Sequence, residues 1–411
     1  TALTPDAAGK ITVTISNAQT YNYLNGFTLT ESVSDLNGSS GPLPAFANHT
    51  ISATSGTVNY GNGFPFSNLR PGDTINVLAG TYTTLIFGNF KGDPSLPIII
   101  RNKGGQVKVG EIRILNDAKY FKLLGNGHSA TQYGFKVYRT QYTGITVSKA
   151  TDFEIGYCEV SGMTSGFFIK NNPVSTDPLT IYPNYVFKNI YLHHNYIHDV
   201  KNEAMYIGHT DPDGGQGGNM LIPVRMENVE IAYNVVNNTG WDGIQLANAR
   251  TGNKVHHNTV TNFGTLNVSG QQAAIQIGSN SNVSIYDNTI KNGTGNGIQV
   301  FGYGYIEIYN NVLENCAKDG SLRGRETIYC NPYLTGPEVN PKQQVKIYNN
   351  TIRYPQPFGA IKVGGISTNS LPSTIINNKL LIPNAPSNWH SIHVVSVVPS
   401  SVISGNTLIT Q

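Results

Sequence analysis

The sequence predicts an all-β fold, a single right-handed parallel β-helix in which short strands stack coil upon coil. Three observations predict it. A strand–corner–strand segment recurs nine times, an asparagine sits at nearly every copy of its corner, and a second set of alternating strands lies between the copies. Composition agrees, since only 12% of the 411 residues are charged and 44 are Gly, a balance that favours strands and turns over helices.

In chain order, residues 1–70 read as an irregular entry segment that caps the first coil, because an exposed strand edge invites aggregation. A short helix is expected around residues 43–48. The solenoid is expected from 71 to 411. That length exceeds an ordinary single core, but each coil of a solenoid packs only on its neighbours.

The recurring segments are IGYCEVSG, LHHNYIHD, IAYNVVNN, VHHNTVTN, IYDNTIKN, IYNNVLEN, IYNNTIRY, IINNKLLI and ISGNTLIT. Their corners carry Asn195, Asn234, Asn258, Asn288, Asn311, Asn350, Asn378 and Asn406, with Cys158 in the equivalent first place. Asparagine tolerates the left-handed corner geometry, and its amide can bond to the same residue one coil away, about 4.8 Å along the axis. The shortest step between corners is 23 residues, so longer steps carry loops.

The second strands are SGFFIK, EAMYIG, DGIQLA, AAIQIG, NGIQVF, ETIYCN and GAIKVG. Alternation places Phe167, Met205, Ile244, Ile275, Ile298, Ile328 and Ile361 in one inward column, and the residue two further along each strand in another. Phe168, Tyr206, Gln245, Gln276, Gln299, Tyr329 and Lys362 then form an outward ladder, a flat polar surface suited to sugars.

Several classes are excluded or left unsupported. A net charge of +3 without a dense Lys/Arg cluster argues against nucleic acid. No apolar run is long enough for a transmembrane segment, and a start at Thr1 without an apolar leader reads as a mature or trimmed segment. Three cysteines are too few for a disulfide scaffold; Cys316 and Cys330 flank one loop and either pair or serve with Cys158 as buried apolar fillers. His193, His194, His256 and His257 sit two coils apart, too far for one metal ion, and read as structural.

The pattern resembles the pectate-lyase-like parallel β-helix superfamily from about residue 70 to the end. Residues 70–105, with the PGD-x-I, G-x-Y and PI-x-I run, resemble the opening coil of the alginate and dermatan sulfate lyase family. The catalytic motifs of that family, similar to N-K-S and R-H-G, are not found, nor are the NTD, DD, GHG and RIK series of the polygalacturonases. No catalytic residue is therefore carried over.

Loops leaving one corner in consecutive coils stack into walls, and the strand face between them becomes a groove. Insertions at 171–184, 209–223 and 331–341 follow second strands, and 317–325 precedes one. Ser165, Glu203, Asp242, Ala273, Asn296 and Glu326 align just before those strands, which puts Glu203 and Asp242 one rung apart, about 5 Å. That separation suits a retaining glycosidase pair, and repulsion would raise one pKa. The competing reading is a corner brace on backbone N–H groups.

Lys170, His209 and Arg250 follow the strands of successive coils. A uronate lyase needs a base, for which Lys170 or His209 is the candidate, and a neutraliser of the sugar carboxylate, for which Arg250 is. Tyr206, Trp241 and Tyr329, with the Gln245, Gln276 and Gln299 ladder, are the candidate sugar contacts. Asp211 and Asp213 in HTDPDGGQGGN could hold Ca²⁺, or form a solvated turn.

The expectation is thus an extracellular or cell-surface enzyme, a monomer without a nucleic-acid partner, that cuts a polysaccharide lying in the groove. Lyase action on an acidic glycan is favoured; a glycoside hydrolase using Glu203 and Asp242, or a non-catalytic carbohydrate-binding or adhesive β-helix, are the alternatives.

Overall fold

The structure is a computed structural model that describes residues 46–52, 57–61, 68–139, 142–210, 221–318, 326–331, 342–355, 359–364, 371–383, 390–395 and 398–410. Its strands pair in parallel and trace three faces of a right-handed solenoid. The first face includes Ala118–Leu124, Ala150–Gly156, Val186–His193 and Arg225–Ala232; the second includes Phe135–Tyr138, Cys158–Ser161, Tyr196–Val200 and Val235–Thr239. The third runs through Thr143–Val147, Ser165–Ile169, Met205–Ile207, Ile244–Leu246, Ile275–Ile277, Ile298–Phe301, Glu326–Asn331, Gly359–Val363 and His390–Val394. One long strand, Ile98–Leu115, pairs with all three faces in succession and so sets the winding.

Pairing starts earlier than residue 71. Asn48–Ile51 and Thr57–Tyr60 lie parallel to Thr74–Gly88. The expected helix around residues 43–48 is not seen where it can be checked, since Asn48 opens a strand and residues 43–45 lie outside the described residues. Asp73, from the PGD run, fastens this start: its buried carboxylate accepts the Ala47 N–H at 2.8 Å and the Arg70 N–H at 2.9 Å and meets His49 Nε2 at 3.0 Å. The motif is therefore a structural clasp of the first coil.

The asparagine ladder is continuous. Asn195 Nδ2 donates to Asn234 Oδ1 at 3.0 Å, and the same contact repeats from Asn234 to Asn258, Asn288, Asn311, Asn350, Asn378 and Asn406 at 2.9–3.1 Å. Each Oδ1 also accepts the backbone N–H of the rung before it; the Cys158 N–H does the same to Asn195 Oδ1 at 3.0 Å. The amides from Asn195 to Asn378 are buried, so their satisfaction is what makes a polar corner compatible with an apolar core.

Both inward columns of the third face are buried, and the register matches rung by rung: Phe167 to Met205, Ile244, Ile275, Ile298, Ile328 and Ile361. Cys330 occupies the second column between Val300 and Val363. That placement corrects the disulfide alternative. Cys158, Cys316 and Cys330 are all free and buried; Cys330 points into the coil while Cys316 Sγ turns to the Glu314 carbonyl at 3.5 Å. No helix among the described residues is long and apolar enough to cross a membrane.

Candidate functional site

The third face gathers most of the expected site residues. Backbone bonds from Gly166 N to Glu203 O and from Ala204 N to Asp242 O place Glu203 and Asp242 on adjacent rungs, followed by Ala273 and Asn296. Glu203 lies two residues before Met205, and Asp242 two before Ile244. Both stand at the corner leading into their strands and are buried, Asp242 at 0% exposure; the next residue, Ala204 or Gly243, is the one that faces the apolar core.

Burial governs their protonation. It raises the Glu203 carboxyl above its ordinary range, against the lowering pull of its own backbone N–H, the Ser165 hydroxyl at 3.3 Å and the Lys170 ammonium. Burial lifts Asp242 well above the usual carboxylate range; the Ala273 N–H, bonded to Oδ1 at 2.6 Å, draws it back, and the Glu203 charge lifts it further. Both carboxyls therefore hold their protons more tightly than water-exposed ones.

Lys170 comes back over the outer face. Its Nζ stands 4.3 Å from the centre of the Tyr206 ring and 5.3 Å from that of Phe168, and its charge acts on Glu203. Tyr206 Oη and Thr210 Oγ1 are 2.6 Å apart, and Gln245 Nε2 donates to the same hydroxyl at 2.8 Å. Thr210 is the residue that the sequence reading missed. Its only signal was a hydroxyl just past a strand of the groove-forming coil.

The outward ladder keeps its register, Tyr206 to Gln245, Gln276, Gln299, Tyr329 and Lys362, yet it is not an open surface. Gln245, Gln276 and Gln299 are only 1–5% exposed, and Tyr329 is buried with Lys362 Nζ 5.6 Å from its ring centre. Strand alternation fixes direction and says nothing of what covers a face. Lys362 also reaches Glu326 Oε1 at 3.7 Å, a second acid–base pair three coils beyond Asp242.

The remaining candidates are spread. Trp241, half-buried, precedes Asp242, and its carbonyl accepts the Thr239 hydroxyl at 2.7 Å. His209 is buried at the corner after Met205–Ile207. Arg250 belongs to Ala249–Thr251, which pairs with the first face, and its Nε donates to Asn248 Oδ1 at 3.1 Å. Asp211 and Asp213 lie outside the described residues, as do residues 332–341 of a wall-forming loop. The histidine pairs bond within and across coils: His193 Nδ1 meets His194 Nδ1 at 2.8 Å and His193 Nε2 meets Glu154 at 2.9 Å, and His256, His257 and Glu230 repeat the arrangement.

Comparison with known proteins defines the class first. Residues 265–408 match the family model described as right handed beta helix region, and the chain is a right-handed parallel β-helix. Similar solved structures include the lacto-N-biosidase from Eubacterium ramulus, at TM-score 0.56 and 11% identity over 84% of this chain and 63% of that one. Others are an alginate lyase from Paenibacillus sp. str. FPU-7 (TM-score 0.41, 13% identity, 87% and 98% covered) and a mannuronic acid specific polysaccharide family 6 lyase from human gut microbiota (0.40, 15%, 89% and 92%). At these identities the likeness is one of fold, and the chain spans less than two thirds of the lacto-N-biosidase. No curated protein matches the chain by sequence.

Proposed function

We propose that this chain is a polysaccharide lyase that cleaves an acidic glycan bound at the end of the third face where Phe168, Lys170 and Tyr206 are partly exposed, in an extracellular or cell-surface setting. The observation that carries the reading is the coupled, buried Glu203–Asp242 pair with the Lys170 ammonium held over Tyr206 beside it. The Lys170 cation pairs with the sugar carboxylate and stabilises the charge that develops when C5 loses its proton. Glu203 takes that proton, and its raised pKa makes it a stronger base than an exposed carboxylate. The C5–H electrons form the C4–C5 double bond as the C4–O4 bond breaks, and Glu203 returns the proton to the leaving oxygen. Asp242 touches no substrate in this scheme; it braces the next rung through the Ala273 N–H.

A hydrolase using the same two carboxyls receives less support, because Asp242 is closed to solvent and would have to reach an anomeric carbon. Binding without cleavage is the second reading, favoured by one observation: the Asp242–Ala273 bond is the brace expected of a purely structural corner. Steady-state kinetics on polyuronates separate the two. Glu203→Gln is expected to lower kcat about 100-fold or more with little change in KM, while Lys170→Ala raises KM as well. Wild-type rates in Glu203→Gln would overturn the assignment.

A further inference from the structure

A second site lies at the asparagine-ladder corner, away from the carboxyl pair. The residue before each ladder position turns the chain through the left-handed region: Asp287, Asn310, Asn349 and Asn377 have φ of 53–57°, and these are residue types that tolerate it. The earlier coils depart from that rule. There the same corner is held by Tyr157 at φ 59°, His194 at 51°, Tyr233 at 59° and His257 at 53°, and tyrosine is poorly suited to this conformation. Strained positions that persist in a well-packed scaffold concentrate where a side chain has work to do.

These rings form a row. Tyr157 and His194 stack at 5.1 Å, His194 and Tyr233 at 5.1 Å, and Tyr233 and His257 lie 4.9 Å apart. Facing them, the 126–133 loop supplies His128, Gln132 and Tyr133, and the two walls enclose a cleft of about 440 Å³. That volume falls in the roughly 300–1,000 Å³ range of small-ligand sites. The lining contains no Asp, Glu, Lys or Arg, while Tyr233 is 43% exposed and His194 is exposed. Burial, then the neighbouring His193, lower the His194 pKa, so its ring is neutral at neutral pH.

Rings, amides and imidazoles without formal charge suit a ligand rich in hydroxyls and free of ionised groups. We infer that this cleft binds a neutral oligosaccharide, with a pyranose ring against Tyr233 and hydroxyls meeting His128, Gln132 and His194. It is independent of the lyase reading and of its acidic substrate. A solenoid enzyme carrying it would hold a mixed glycan matrix at one corner and act on an acidic strand at another face.

Calorimetric titration of the full chain with cellohexaose, mannohexaose and chitohexaose, and with hexagalacturonate as the charged control, tests it. At least one neutral hexasaccharide is expected to bind. Tyr233→Asn should weaken that binding about tenfold, while Glu203→Gln leaves it unchanged. Asn already fills this corner at Asn310, Asn349 and Asn377, so the variant retains the turn. Gln132→Ala, on the exposed opposite wall, should weaken it several-fold and serves if Tyr233→Asn fails to fold. Absence of binding by every neutral hexasaccharide, or affinity unchanged in both cleft variants, overturns the proposal whatever the outcome of the lyase assay.

Discussion

Asp242 Oδ1 accepts the Ala273 N–H at 2.6 Å, while its Oδ2 is buried with no hydrogen-bond partner among the described residues. Half of this carboxyl is therefore satisfied by the fold and half is not, which is why its proton is held so tightly. The ionised form would leave a charge in an apolar corner beside Glu203.

Stability should respond to pH in opposite directions at Asp242 and Asp73. The raised pKa of Asp242 means that the native state binds the proton more tightly, so its contribution is full below the unfolded carboxylate range and is lost as pH rises through the folded pKa. Asp73 is desolvated, but the Arg70 N–H, His49 and the Ala47 N–H outweigh that and lower its pKa; its contribution is present above about pH 4 and lost as pH falls. Urea unfolding from about pH 2 to 8 should give Asp242→Asn a flatter loss of stability with rising pH than wild type, and Asp73→Asn a weaker loss on acidification below about pH 4. Parallel wild-type and variant curves would contradict both.

Removal of one rung should be felt by its neighbour. Asn288→Ala deprives the Asn258 backbone N–H and Nδ2 of their shared acceptor and breaks the Asn311 contact, a cost of about 2–4 kcal/mol for several buried groups left unpaired. Asn406, the last rung, is only partly buried and accepts from one side, so Asn406→Ala should cost less than half as much. Denaturant midpoints at constant m-value would measure the difference.

The thiols should be silent until the protein unfolds. All three are buried, and burial pushes Cys316 and Cys330 up to about 12 and Cys158 beyond the ordinary thiol range. Ellman's reagent should detect no reactive thiol in the native chain and three in non-reducing denaturant. Detection of one alone would restore the Cys316–Cys330 disulfide.

The coil register was legible because a period-two strand and a recurring corner asparagine leave only one consistent alignment. Asn195 to Asn406 and the Phe167 to Ile361 column follow from spacing alone. Burial of Gln245, Gln276 and Gln299 was not legible, since a side chain's direction is local and its cover is not. The facing of Glu203 and Asp242 was not legible either, because alternation breaks at the corner: Ala204 and Met205 are consecutive and both belong to the core. Tyr157 and Tyr233 were overlooked because a corner residue reads as a turn former, and only the backbone φ in the structure reveals a ring where Asn or Asp would be easier to accommodate.

The central claim is that Lys170 and Glu203 perform elimination on a uronate-containing chain. Its most direct test is the ultraviolet absorbance of products from alginate, pectate and glycosaminoglycan digests, run beside neutral glycans. The account predicts an absorbing unsaturated end group from at least one acidic polymer, abolished in Glu203→Gln. New reducing ends that appear without that absorbance, or from neutral polymers alone, would contradict it.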